Sequence, residues 1–89
     1  MALFAVIALK ESVAAVDEAV GKLPPNEVYK LEPGKWVVDS NVTIAKELSI
    51  NLGLRESHTH LVLGIRGYSG RAQPDLWEWL TAKAAKADG

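Results

Sequence analysis

His58 and His60 are the two histidines of this 89-residue chain, with one residue between them. At the entrance of a strand, side chains at i and i+2 share a face. The pair would then offer two imidazoles to one side, as metal ligands do. A zinc site needs a third protein ligand, and the sequence supplies none in register, so a plain loop-and-strand role and no metal are expected. Titration near neutral pH gives these rings a further use, the modulation of an interface. Gly67 and Gly70 form a Gly-x-x-Gly with Arg71 directly after it. A phosphate cradle feeding the next helix would use such residues. The spacing fits neither a P-loop nor a dinucleotide fingerprint. A KH-type clamp joins two helices, whereas this one leaves a strand, so a bulged turn is expected. Ser12, Ser40, Ser49, Ser57 and Ser69 lie in no nucleophile elbow, and no nucleophile–base–acid set is visible. No catalytic residue and no cofactor is assigned.

Arg66, Arg71 and Lys35, together with Lys30, are the candidates for a basic, nucleic-acid-binding edge. The net charge of −1 gives the whole chain no preference for nucleic acid, so solvated, scattered charge is the competing reading. Lys35-Trp36-Val37-Val38-Asp39 lacks the glycine and second aromatic of an RNA-stacking strand. No recognition helix follows Thr43 to Ile50, which excludes a helix-turn-helix. The absence of cysteine excludes disulfides and thiolate chemistry and fits a reducing cytoplasm. Met1 to Leu9 is apolar but has no basic start, and it is too short to span a bilayer as a helix. No membrane association is expected.

The elements that must position these groups are legible from periodicity. Ala2 to Leu9 is an unbroken apolar run, the pattern of a strand covered on both faces. Ser12 is placed to cap a helix whose apolar positions are Val13, Val16, Val20 and Leu23, and Pro24-Pro25-Asn26 ends it. Glu27 to Leu31 and Lys35 to Asp39 read as two short strands around a Glu32-Pro33-Gly34 turn. Thr43 is the expected cap of a second helix with Ile44, Leu48 and Leu52 on one face, closed by Gly53. Arg55 to His58 reads as a polar loop. Leu61, Leu63 and Ile65 alternate with Val62, Gly64 and Arg66 as in a strand. Asp75 and Glu78 fit a capping box for a last helix of about three turns, with Leu76, Leu80, Ala84 and Ala87 as its stripe. Lys83 and Lys86 suit the C-terminal end of its dipole.

The order is strand, helix, strand, strand, helix, strand, then an extra C-terminal helix. Residues 1–89 are one domain of the α+β class with a ferredoxin-like split βαβ (βαββαβ) arrangement. Two helices cover one face of such a sheet. Because the first strand is apolar on both sides, the last helix or a second subunit must cover the other. Phe4, Trp77 and Trp79 are the candidate interface residues, since aromatics anchor interfaces; a place in or at the edge of the core is the competing reading for the two tryptophans, given the area they bury.

Three stretches carry a family likeness: Trp36-Val37-Val38-Asp39-Ser40; Glu47-Leu48 running to Leu52-Gly53; and Gly67-Tyr68-Ser69-Gly70-Arg71-Ala72 followed by Trp77-Glu78-Trp79-Leu80. Through them the chain resembles small bacterial ferredoxin-like proteins akin to the CRISPR-associated dimeric nuclease subunit and to toxin endoribonucleases of that fold. The resemblance implies homodimerisation and a toxin–antitoxin or mobile-element setting. The nuclease members carry an aspartate at the end of the first strand, where Ala8-Leu9-Lys10 stands here. The expectation is therefore a non-enzymatic homodimeric binding or regulatory module with a protein or nucleic-acid partner. The alternative is a metal-dependent endoribonuclease using Glu11, Asp39 or a histidine.

Overall fold

Alternate residues of the first strand serve two different cores. The computed structural model describes residues 2–54, 58–67, 70 and 74–88. Strand β1 (Ala2–Ala8) sends Phe4 and Val6 to one face and Leu3 to the other. A 3₁₀ turn (Lys10–Ser12) leads into helix α1 (Val13–Gly21). A second such turn (Pro25–Glu27) leads into β2 (Val28–Glu32), followed by β3 (Lys35–Ser40), α2 (Ala45–Asn51), β4 (His60–Gly64) and α3 (Pro74–Asp88). The sheet has four strands in the order β2-β3-β1-β4, and every neighbouring pair is antiparallel. This is an α+β protein, consistent with a ferredoxin-like arrangement.

The first core lies between the sheet and helices α1 and α2. Phe4, Val6, Trp36 and Val38 meet Val16, Val20 and Leu48 there. Phe4 is only 2% exposed. It is therefore a core residue that joins sheet to helices, and its expected place at an interface is corrected. The second core joins Leu3 and Val37 to Leu76 and Leu80 of α3, with Tyr29, Ile65, Trp77 and Trp79 packed around them. The last helix is thus the element that covers part of the second face.

Three local expectations differ from the structure. Ile44, not Thr43, is the N-cap of α2; its carbonyl accepts from the Glu47 and Leu48 N–H groups, and its side chain is exposed. Upstream, Ser40 Oγ accepts the Val42 N–H and sets a turn that delays the helix. Ser12 precedes α1 without capping it through its side chain; it is buried, with its hydroxyl 3.5 Å from that of Thr59. Pro74 opens α3, where its fixed φ suits the first turn, so Asp75 falls inside the helix rather than at its cap. That helix runs for 15 residues, about four turns. Gly53, by contrast, has the left-handed φ of 71° expected after α2. The expected turn through Tyr68 and Ser69, Arg71, and most of the Arg55 to His58 loop lie outside the described residues, as do the side chains of Ala84, Lys86 and Ala87.

The hairpin turn Pro33-Gly34 is held from both sides. Gly34 has φ of 81°, a left-handed value that glycine adopts freely. Its N–H donates to Asp17 Oδ1 at 2.7 Å, and its carbonyl accepts the Ala8 N–H at 2.7 Å. A Cβ at this position would stand 3.0 Å from Ala8 Cβ and 3.1 Å from Val13 Cγ2.

Candidate functional site

Among the described residues, four polar groupings and one apolar surface stand out as places where this fold could act. The first centres on Asp17 of α1. Its Oδ1 accepts from Trp36 Nε1 at 2.8 Å as well as from Gly34, and its Oδ2 lies 3.6 Å from Lys30 Nζ. Lys30 also stands 5.5 Å from the centre of the Trp36 ring. Burial pushes the Asp17 carboxyl up, but the Trp36 and Gly34 hydrogen bonds and the Lys30 charge together outweigh it, and the group is held below its ordinary value. These contacts hold α1, β2 and β3 together.

The second grouping lies beneath α3. Asp39 is 3% exposed, and its Oδ2 is 3.4 Å from Lys83 Nζ but makes no hydrogen bond among the described residues. The ammonium sits 5.5 Å from the centre of the Trp79 ring, a distance at which a cation is attracted by an indole face. At the other end of α3, Tyr29 gives its hydroxyl hydrogen bond to Asp75. Burial, then that bond and the Asp75 charge, raise the Tyr29 hydroxyl above its ordinary value. Tyr29 and Trp79 rings lie 6.0 Å apart and tilted, within the range of aromatic pairing. Trp77 and Trp79 therefore pack at the margin of the second core.

The third grouping was not visible in the sequence. His60 Nδ1 lies 2.7 Å from the His58 carbonyl, and His60 Nε2 lies 2.6 Å from Ser49 Oγ. A carbonyl only accepts, so Nδ1 is the donor, and in the neutral ring Nε2 accepts from the serine. A serine hydroxyl donating to imidazole is the first half of a nucleophilic apparatus. The orienting group here is a backbone carbonyl, which lacks the charge that a buried carboxylate supplies to stabilise imidazolium. The contact fastens α2 to β4. Because both ring nitrogens of His60 are engaged, the histidine pair does not turn two free imidazoles to one side.

The fourth is a cavity of about 310 Å³ lined by Lys10, Glu11, Ser12 and Thr59. Lys10 holds a left-handed φ of 50° beside it. Glu11 lies at this end of the sheet with His60, which pairs with Ala8, whereas Asp39 pairs with Leu3 toward the other end. Asp39 therefore stands apart from Glu11 and His60. Among the described residues, no three of His, Cys, Asp and Glu are gathered to hold a metal ion.

The candidate basic residues are likewise spread. Lys35 pairs with Ile7 at one end of β1 and bonds Glu32 at 2.9 Å. Arg66 follows Ile65, whose N–H bonds the Leu3 carbonyl at the opposite end. Five residues of strand separate the two levels, about 16 Å. Arg71 lies outside the described residues.

The apolar surface is the β4 half of the second face. Leu61 pairs with Ile7 and Leu63 with Ala5, so both leucines lie on the α3 side of the sheet. They remain 45% and 49% exposed. Alternation alone did not reveal this, because α3 could have covered the whole face. Comparison with protein-family models, with curated proteins and with solved structures returns no match for this chain.

Proposed function

We propose that this chain is a ferredoxin-like, non-enzymatic binding or regulatory module that works as a homodimer. The observation that carries this reading is the pair of half-exposed leucines, Leu61 and Leu63, on an edge strand beside a helix that covers only the other half of the face. Apolar surface left open at a sheet edge is stabilised by a partner, and a domain of this size gains from burying more of it. The strand order and antiparallel pairing support the ferredoxin-like assignment. The resemblance to dimeric nuclease relatives supplies the setting, a cytoplasmic toxin–antitoxin or mobile-element system, and the missing first-strand carboxylate supports a non-enzymatic role.

Sedimentation over a range from micromolar to millimolar protein tests the dimer. Mass should rise toward twice the monomer value with concentration, and a monomer throughout would sink the reading. Incubation with labelled RNA and magnesium or manganese tests the non-enzymatic part. No cleavage is expected; metal-dependent cleavage that survives repurification would overturn it.

A further inference from the structure

We infer that two copies join through the free edge of β4, antiparallel, about a two-fold axis beside Val62, so that the two four-stranded sheets become one. The inference rests on the homodimer reading and specifies its geometry.

The hydrogen-bond alternation decides which backbone groups are available. Leu9 N–H donates to the Thr59 carbonyl at 3.0 Å, and Ile65 N–H donates to the Leu3 carbonyl at 2.9 Å. In an antiparallel ladder, alternate residues turn both backbone groups to the same neighbour. Residues 59, 61, 63 and 65 therefore face β1, and His60, Val62 and Gly64 direct their N–H and C=O groups to the open edge. A two-fold axis beside Val62 pairs Val62 with its own copy and His60 with Gly64 of the second copy. Both are hydrogen-bonded positions, so every outward group of the strand finds a partner.

Three properties of the strand favour its own copy as the occupant. First, His60-Leu61-Val62-Leu63-Gly64 carries no lysine, arginine, carboxylate or proline, the devices that keep edges apart. The other edge strand has them: Lys30, Glu32 and a bulge between them. A two-fold axis centred on β2 would set Lys30 against Lys30, whereas one centred on β4 opposes no like charges. Second, the axis places Leu61 beside Leu63 of the second copy and the reverse. Four half-exposed leucines become one apolar stripe. Third, Gly64 falls opposite the large His60 ring, on the same face. Nothing lies within 4 Å of the place where a Cβ at Gly64 would stand, and the missing side chain leaves room for the imidazole.

A five-residue strand pair is a small contact, so a weak, concentration-dependent dimer is expected. Two variants separate this geometry from dimerisation as such. Val62→Pro removes an N–H that faces the open edge, and proline is tolerated there. It should leave the circular dichroism spectrum unchanged. It should weaken self-association by roughly tenfold or more, because two bonds of about 1 kcal/mol each are lost across the axis. Independently, Leu61→Cys and Leu63→Cys are made in a chain that has no cysteine. Mixed and oxidised, they should cross-link faster than either does alone. If wild type dimerises but Val62→Pro associates equally well, or the mixture cross-links no faster than its components, edge pairing is wrong and the homodimer stands. A wild type that stays monomeric removes both.

Discussion

On the β2–β3 side of the sheet, both faces are tied down by side chains that reach far along the sequence. Asp17 joins α1 to Gly34, Trp36 and Lys30 on one face. On the other, Lys83 and Asp75 bring α3 to Asp39 and Tyr29. On the β4 side, the Ser49–His60 bond is the side-chain tie between α2 and the strand among the described residues. The leucines of the opposite face stay half exposed. The closed half spends its polar groups on one another, which leaves few for chemistry. The open half has fewer such ties between its elements, and its apolar surface stays half exposed. The difference assigns structure to the closed half and leaves the open half for the association proposed above.

The comparison breaks most sharply at Lys83. Lys83→Met leaves Asp39 buried without its countercharge, and it should cost about 3 kcal/mol in urea unfolding. A loss below about 1 kcal/mol would show that the pair is solvated and that α3 is not latched there. Next comes Gly34→Ala, which puts a side chain into left-handed backbone against Ala8 and Val13. A loss of about 2 kcal/mol is expected from the unfolding midpoint.

Asp17→Asn should cost about 1–2 kcal/mol at neutral pH, because hydrogen bonds to a charged acceptor are weakened. The sign of the pH effect follows from the lowered carboxyl. Its stabilisation is fully present above the unfolded aspartate value of about 3.9 and is lost as pH falls through the folded value. The gap between wild type and variant should therefore narrow below about pH 4; a gap independent of pH would assign the loss to shape rather than charge.

On the open side the expected effects on folding are smaller. Ser49→Ala removes one bond from a half-buried ring that water can reach, for about 1 kcal/mol. Joint replacement of Leu61 and Leu63 by Lys should change monomer stability by less than about 0.5 kcal/mol. It should nevertheless abolish association in sedimentation. A large stability loss with association intact would reverse the roles given to the two halves.

What sequence reasoning reached and what it missed divide along the same line. Apolar periodicity placed four strands and three helices, because it reports which face each element buries. Turn chemistry placed Gly34 and Gly53, because a left-handed backbone leaves a local signature. The ties between elements left none. Asp17 looks like a solvent-side residue of an amphipathic helix until the fold brings Trp36 to it. Ser49 and His60 belong to a helix and a strand that show no catalytic spacing. Asp39 offered a clue: it shares the face of Val37, so a carboxylate in a buried register called for a distant cation. Nothing local named Lys83. The half-cover of the second face was equally hidden, since it depends on where α3 lies across the sheet and not on its own stripe.

The central position of β1 has a consequence for the order in which the chain is made. Its partner on one side, β3, is complete at Ser40, but its partner on the other, β4, is complete only at Gly64. At about 5–20 residues per second, synthesis of the intervening stretch occupies on the order of a few seconds. During that interval the nascent protein carries an apolar strand with one bare edge, and α3 has not yet emerged to shield Leu3 and Val37. It is β4, the last strand to be made, that closes this edge from within the chain.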